Sequence, residues 1–350
     1  MASFFSSAGS FLITVLASVF VFGIVIFIHE LGHFLTAKFS GIQVNEFALG
    51  MGPTLFSFTR GGTKYGLRLF PIGGFVSMEG EDEESEEAGS FTKAPGGNRI
   101  LVTVAGAVMN LLLGFVVLVC VVCSQQLIST RTVAEFYEGS STQQSGLQVG
   151  DTIVAVNGRR CFIANDIIYE FARTQQGQAD LTVLRDGKRV QLDNVVFDTY
   201  EENGVNQLVI DFKVLGEKKT VGSVLKEAGN WTLSLGRMVV LSLTDLITGR
   251  IAVNNLSGPV GIVSAISEAS SLGLSSLLML LALITINLGI FNLLPIPALD
   301  GGRLVFLIIE AIRRKPISQK YEIAINAAGF ILLIGLMIFA TFNDITKLIV

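Results

Sequence analysis

Four long apolar stretches dominate the chain: Phe11–Phe39, Ile100–Cys123, Leu272–Leu294 and Tyr321–Phe342. Each provides the roughly 20 residues that a helix needs to cross the hydrocarbon of a bilayer. Four spanning helices are therefore predicted, with a short helical continuation from Gly302 to Ile312 after the third. A different pattern occupies Gly50–Gly80. There Tyr65-Gly66-Leu67-Arg68-Leu69 and Gly74-Phe75-Val76-Ser77-Met78 alternate with the period of a strand, punctuated by Gly61-Gly62 and Gly73-Gly74. The segment is too apolar for a solvated loop, and extended backbone survives at membrane depth only against protein or a water-filled cavity. A membrane-associated β-hairpin or small sheet is predicted beside the first span, with a soluble hairpin as the alternative. The acidic run Glu79–Glu87 reads as a solvated loop.

The long apolar runs are absent from Thr132 to Leu215. Gly146–Gly158 reads as a turn, a strand and an Asn157-Gly158 hairpin turn, and Asp186-Gly187 between Leu181–Arg185 and Lys188–Leu192 is a second hairpin signal. Ala164–Arg173 between them reads as a short helix. Several short strands and one helix in so short a stretch predict a compact β-rich domain. Thr220–Arg250 mixes apolar positions with Lys226, Glu227, Arg237, Asp245 and Arg250, the pattern of an interfacial helix rather than a span. The expected organisation is a membrane half over residues 1–124 and a globular domain over 132–215. A linker with an interfacial helix follows over 216–271, and a second membrane half over 272–350.

Composition agrees with a polytopic membrane protein. The 350 residues are 50% hydrophobic and only 15% charged, with a mean hydropathy of +0.61. A net charge of −4 argues against nucleic acid as a partner. The segment after the first span carries Lys38, Arg60, Lys64, Arg68, Lys93 and Arg99, and the connection before the fourth carries Arg303, Arg313, Arg314, Lys315 and Lys320. The positive-inside rule puts both in the cytoplasm, so both termini and the β-rich domain are expected outside, in a multi-pass protein of the cell membrane. The N-terminus is apolar but has no basic flank or clear small-residue cleavage site, so it is expected to be retained rather than removed as a signal peptide. Cys120, Cys123 and Cys161 are read as small core residues rather than as a metal or redox set.

The chemistry-bearing motif lies inside the first span. His29-Glu30-Leu31-Gly32-His33 is an HExxH sequence, and its two histidines are the only ones in the chain. Four residues apart on a helix, both imidazoles share one face and can bind one Zn²⁺, with Glu30 beside them as general base. Such groups are expensive in lipid, and a structural helix has no use for them there. A catalytic zinc takes a third protein ligand and a water, and with no further histidine that ligand must be Asp, Glu or Cys. Asp300 is the favoured candidate. Pro295 and Pro297 break the third span immediately before it, and the orientation argument puts it at the depth of His29 and His33, near the cytoplasmic face. An alternative role for Asp300 is to cap the following helix, and Glu310 is the next candidate ligand. Asn110, Asn287 and Asn292 also sit in apolar runs. Interhelical hydrogen bonding and contact with an extended substrate backbone or oxyanion both suit them, the second being favoured for Asn110 and Asn292.

Jointly these segments resemble the site-2 protease family of zinc intramembrane proteases, and within it the bacterial RseP type. The likeness is carried by His29–His33, Gly106-x-x-x-Asn110, Asn292-x-x-Pro295-x-Pro297-x-Leu299-Asp300-Gly301 and Ser257-Gly258-Pro259-Val260-Gly261-Ile262. Gly139-Ser140 through Asn157-Gly158 resembles the circularly permuted PDZ domain of these enzymes, here in a single copy. The resemblance implies a four-span membrane protein with a membrane-reentrant β-element and one PDZ-like domain. It implies His29, His33 and Asp300 as zinc ligands, Glu30 as general base, and Asn110 and Asn292 near the substrate. The element Gly50–Gly80, with Gly73 and Gly74, would receive unwound substrate as an added strand. Substrates would be single-span membrane proteins, such as anti-sigma factors or signal-peptide remnants. An inactive PDZ-bearing scaffold and a metal-ion transporter are the rival classes. The intact motifs speak against the first, and the clustering of the ligands at one depth speaks against the second.

Overall fold

The computed structural model describes residues 2–81, 85–174, 177–202, 205–249, 256–315 and 317–349. Part of the acidic run (82–84) and Arg250 lie outside the described residues. The chain begins with α1 (Ala2–Phe39), β1 (Val44–Arg60), β2 (Thr63–Met78) and α2 (Gly96–Ser124). Then come β3 (Ile128–Phe136), α3 (Ser141–Gln144), β4 (Thr152–Val156), β5 (Arg159–Arg160), α4 (Ala164–Ala172), β6 (Gln178–Arg185) and β7 (Lys188–Val196). They are followed by β8 (Thr199–Glu202), β9 (Val205–Leu208), β10 (Phe212–Glu217) and α5 (Val221–Ile247). The chain closes with α6 (Pro259–Leu272), α7 (Leu274–Leu293), α8 (Asp300–Arg313) and α9 (Gln319–Ile349). Two units emerge, one from residues 1–117 with 239–350, the other from 118–238.

In the first unit, the helices with the length and apolarity to span a bilayer cover Phe11–Phe39, Gly96–Ser124, Leu274–Leu293 and Lys320–Lys347. These are the four predicted spans. Helix α1 stops where Gly41 takes a left-handed conformation (φ 73°) and Ile42 N–H donates back to Ala37 C=O (2.9 Å), the six-to-one closure that glycine permits. Glycines also bring helices together: a Cβ on Gly289 would lie 2.9 Å from the Ala107 carbonyl oxygen, so α7 and α2 meet backbone to side.

The apolar alternating segment forms the predicted small sheet. Strand β1 bends at Gly50 and Gly52, both at positive φ, and β2 turns at Gly73. Ala48 consequently faces Phe75 and Gly66 at once, while Thr54–Arg60 pairs with Thr63–Arg68. Four short segments result, with Thr54–Arg60 and Gly74–Met78 at the two edges. The root of the sheet is fixed by a core of Ala37, Ile42, Val44, Met78, Phe91 and Val102. Its outer part exposes Met51, Leu55, Phe56, Phe58, Leu67, Leu69 and Phe70.

Among the described residues, the stretch 216–271, read from the sequence as a linker with one interfacial helix, carries two helices. α5 is the expected one. α6 is the other, starting with Pro259 at its first position. Its free N–H groups are answered from α9: Asp344 Oδ2 accepts from Gly258 N–H (2.8 Å) and Gly261 N–H (2.7 Å). This accounts for the Ser257–Ile262 motif, since a Cβ on Gly258 would lie 2.8 Å from Thr341 N. No local periodicity separates α6 from the third apolar run, because the partner carboxylate is 83 residues away.

The second unit is β-rich. Its sheet runs β10-β3-β4-β6-β7, with β5 on β4, and β8-β9 forms a separate hairpin. Asn157-Gly158 and Asp186-Gly187 each place both residues at positive φ, as two-residue hairpin turns require. Val133, Leu147, Ile153, Phe171, Leu181 and Val183 lie in its core. Cys161 is a core residue as expected, its thiol pushed up to about 12 by burial. The other two cysteines depart from the expectation: the phase of α2 leaves Cys120 and Cys123 exposed, and all three thiols are free. Arg185 clamps the loop before β4 through a two-pronged pair with Asp151 (2.8 and 2.7 Å).

Asp211 is the best-served carboxylate of this unit. It accepts from Thr142 N–H (3.0 Å) and from the hydroxyls of Thr142 (2.5 Å), Ser140 (2.9 Å) and Ser141 (3.2 Å). Burial alone would raise its pKa, but these donors outweigh burial and hold it below the usual carboxylate range. Its stabilising effect is therefore present above the unfolded-chain value of about 3.9 and is lost as pH falls through the lower folded value. Asp211→Asn is expected to cost about 1–3 kcal/mol at neutral pH. Faster hydrogen exchange at the Thr142 and Gln143 amides of the intact protein would register it, and a smaller additional loss below pH 4 should follow.

Candidate metal centre

The site is assembled from α1, α2 and α8. The HExxH turn of α1 directs both imidazoles to one side. His29 Nε2 and His33 Nε2 lie 3.3 Å apart, and Asp300 Oδ2 lies 3.3 Å from each. Side-chain exposures of 12%, 11% and 25% leave the cluster secluded but reachable through the aspartate. The near-equilateral triangle meets a stringent test. Ligand atoms bound tetrahedrally at about 2.0–2.1 Å stand about 3.3 Å apart.

Hydrogen bonding points the same way. His33 Nδ1 lies 2.8 Å from the Val102 carbonyl oxygen on α2. A carbonyl can only accept, so Nδ1 carries the proton and Nε2 presents a lone pair to Asp300. Asp300 Oδ2 is buried without a hydrogen-bond donor. With both imidazoles neutral and their Nε2 atoms unprotonated, three lone pairs converge on one point, which is the donor set of a cation site. Asp300 does not cap its helix: it is the first residue of α8, and the N-cap position belongs to Leu299, with no side-chain cap.

The break before α8 is what delivers Asp300. Leu294 leaves α7 in extended conformation, and the Pro295–Pro297 bend follows. A Cβ on Gly301 would sit 2.0 Å from the Leu294 carbonyl oxygen, and one on Gly302 2.5 Å from that of Ile296. The glycine pair after Asp300 is therefore a packing requirement of the bend. From α9, Asn326 Oδ1 accepts from Ala298 N–H (3.1 Å), where Ala298 takes positive φ.

The other expected residues divide. Glu30 lies within electrostatic reach of His33, His29 and Asp300, and the strand segment Gly74–Met78 lies against it: a Cβ on Gly74 would be 2.9 Å from Glu30 Cγ. Asn110 joins the site from α2, its amide nitrogen 3.3 Å from His29 Nδ1, while its amide oxygen is buried without a partner. It is fully buried, and its backbone carbonyl accepts from the Thr285 hydroxyl on α7 (3.1 Å). Gly73 (φ 78°) forms the corner entering the edge segment. Asn292, near the end of α7, is buried. Asn287 has a buried amide oxygen without a partner. Glu310 is not near the triad; it pairs with Arg99 (2.9 Å).

Two contributors escaped the sequence reading. Val102 orients His33 through a backbone atom, which carries no sequence signal. The sequence marks Gly106 only as the start of the Gly106-x-x-x-Asn110 pattern. A Cβ there would lie 2.2 Å from His33 Nε2 and 2.7 Å from His29 Cε1, so its missing side chain is the space the imidazoles occupy.

Apolar spanning helices, an HExxH turn and a distant aspartate completing a triangle of candidate metal-binding atoms define a metallopeptidase embedded in the membrane. The chain belongs to peptidase family M50, whose profile matches residues 17–336. It is 36% identical over 332 residues to a Clostridium perfringens protein provisionally named a zinc metalloprotease, covering 95% of this chain and 98% of that one. It is 32% identical over 421 residues to the zinc metalloprotease RasP of Shouchella clausii, covering 96% and 99%. The regulator of sigma-W protease RasP of Bacillus subtilis is 30% identical over 420 residues, covering 97% and 99%.

Gly106→Ala tests the steric argument. The added methyl group has no free volume, and the imidazoles must move. Metal bound by the detergent-purified protein is expected to fall about tenfold or more, measured by mass spectrometry of the metal after dialysis, with helix content unchanged.

Proposed function

We propose that this chain is a zinc endopeptidase that cleaves single-span membrane proteins within the bilayer, in regulated intramembrane proteolysis. The observation that carries the proposal is the 3.3 Å triangle of His29 Nε2, His33 Nε2 and Asp300 Oδ2 in an apolar setting, with Glu30 beside it. The names of the relatives favour zinc. Zn²⁺ held by these three residues supplies Lewis acidity, acidifying water and polarising a peptide carbonyl. Glu30 takes the proton of the attacking water and hands it to the leaving amine. Asn110 orients His29 through its amide: with the amide oxygen turned to accept from Nδ1–H, Nε2 is left free as a ligand and the orphaned buried oxygen gains its partner.

A substrate helix hides its carbonyls and must be locally extended to be cut. Among the described residues the segment Gly74–Met78 pairs on one side only, with Val44–Leu49, and it lies against Glu30. It suits an added strand from the substrate, with Gly73 and Gly74 keeping the approach open. Asn292, buried near the end of α7, is suited to holding the substrate backbone through its amide. The second unit, with its two tight hairpins and a short helix, is read as a single PDZ-like domain that filters substrates by their extramembrane ends. Basic residues in the connections between spans support placing the termini and that domain outside and the site near the cytoplasmic face. The sigma-W role in the name of the Bacillus subtilis relative favours a substrate of the anti-sigma type, with signal-peptide remnants as the second class.

Glu30→Gln separates binding from chemistry. Zinc content should stay at the wild-type level, while cleavage of a reporter membrane peptide by the purified protein should fall roughly 10²–10⁴-fold. Retained cleavage would remove Glu30 from the mechanism. Asp300→Asn should lower zinc occupancy, and undiminished metal would strike it from the ligands.

A further inference from the structure

A cavity of about 720 Å³ in the first unit is lined by Glu81, Phe91, Arg99, Arg303, Glu310 and Lys320, among others. Arg303 stands one helical turn beyond Asp300 on α8. One Nη donates to Glu81 Oε1, and the other donates to the Glu81 backbone carbonyl (2.9 Å). The guanidinium also covers the Phe91 ring at 4.6 Å. Glu81 reaches in the other direction as well. Its Oε2 accepts from Met78 N–H (3.3 Å), and its own N–H donates to the Met78 carbonyl (3.3 Å). Met78 is the last residue of the edge segment whose Gly74 end lies against Glu30.

One carboxylate thus grips two parts with different tasks. We propose that Arg303 and Glu81 are positioning residues that couple the helix carrying Asp300 to the edge strand beside Glu30, so that metal binding and substrate alignment depend on one joint. The inference rests on the reading of Asp300 as a ligand and of Gly74–Met78 as the substrate strand.

Distance separates this joint from the second bridge across the same cavity. Arg303 lies about 4.5 Å along α8 from Asp300, whereas Glu310, paired with Arg99, lies about 15 Å along it. The near bridge governs where the aspartate points; the far one anchors the helix as a whole. The two-pronged contact with one side-chain oxygen and one backbone oxygen needs the planar fork of arginine, which lysine lacks.

The test uses the full-length protein in detergent. Arg303→Gln and Glu81→Gln are each expected to weaken zinc binding about tenfold, read by competition with a chromophoric chelator, and to raise KM for a reporter membrane peptide more than they lower kcat. In the double variant the losses should not add, because both substitutions cut one joint. Fully additive losses, or wild-type zinc affinity in both single variants, would overturn the proposal. If Arg303→Gln does not fold, Arg303→Lys carries the test: a smaller loss of zinc affinity supports the joint, and wild-type affinity overturns it. Arg99→Gln is the control for general loosening of α8. It should leave zinc affinity within about twofold of wild type, and a loss as large as that of Arg303→Gln would sink the inference. Asp300→Asn separates the two levels. If it keeps its zinc, the ligand reading falls; if it loses zinc while the Arg303 and Glu81 variants keep theirs, only the coupling falls.

Discussion

The controlling constraint is the convergence of three lone pairs in a place with little water. Two imidazole nitrogens and a carboxylate oxygen stand 3.3 Å from one another, and the Val102 carbonyl holds a His33 proton on Nδ1, away from the other two atoms. A bare cluster of this kind carries a desolvation penalty of several kcal/mol. A divalent ion would reverse the sign, because the three atoms could then serve as ligands. The surrounding fold is the apparatus that holds the three atoms at that spacing.

That apparatus is built mostly from what is missing. Gly32 and Gly106 let α1 and α2 approach until the backbone of one meets the side chains of the other. Gly301 and Gly302 let α8 begin directly on the Leu294–Ile296 bend. Asp344 ties α6 to α9 by answering free N–H groups at a helix start. In lipid, where apolar side chains gain little by leaving the solvent, close backbone contact and satisfied polar groups do the work that burial does in water.

Much of this was legible in the chain. Helical spacing in His29–His33, the proline-broken third run and the basic connections together point to Asp300 from the sequence alone. The four spans and the small sheet also follow from period and length alone. What stayed hidden depends on proximity across long sequence separations. Val102 meets His33 across 69 residues, and Asp344 meets Gly261 across 83. Glu81 is the clearest case: within an acidic run it reads as solvated charge, yet it grips Arg303 across 222 residues. The exposure of Cys120 and Cys123 turned on the rotational phase of α2, which a uniformly apolar helix does not announce.

The outer part of the small sheet has its own consequence. Among the described residues its Thr54–Arg60 edge pairs on one side only, and Leu55, Phe56 and Phe58 are exposed on it beside Leu67, Leu69 and Phe70. The apolar side chains of such a margin suit lipid, but in water its open edge is a template on which another chain can build. Handling of this protein outside its bilayer will therefore be governed by how well the solubilising amphiphile coats that rim. Colloidal failure should begin there, well before the helical bundle itself comes apart.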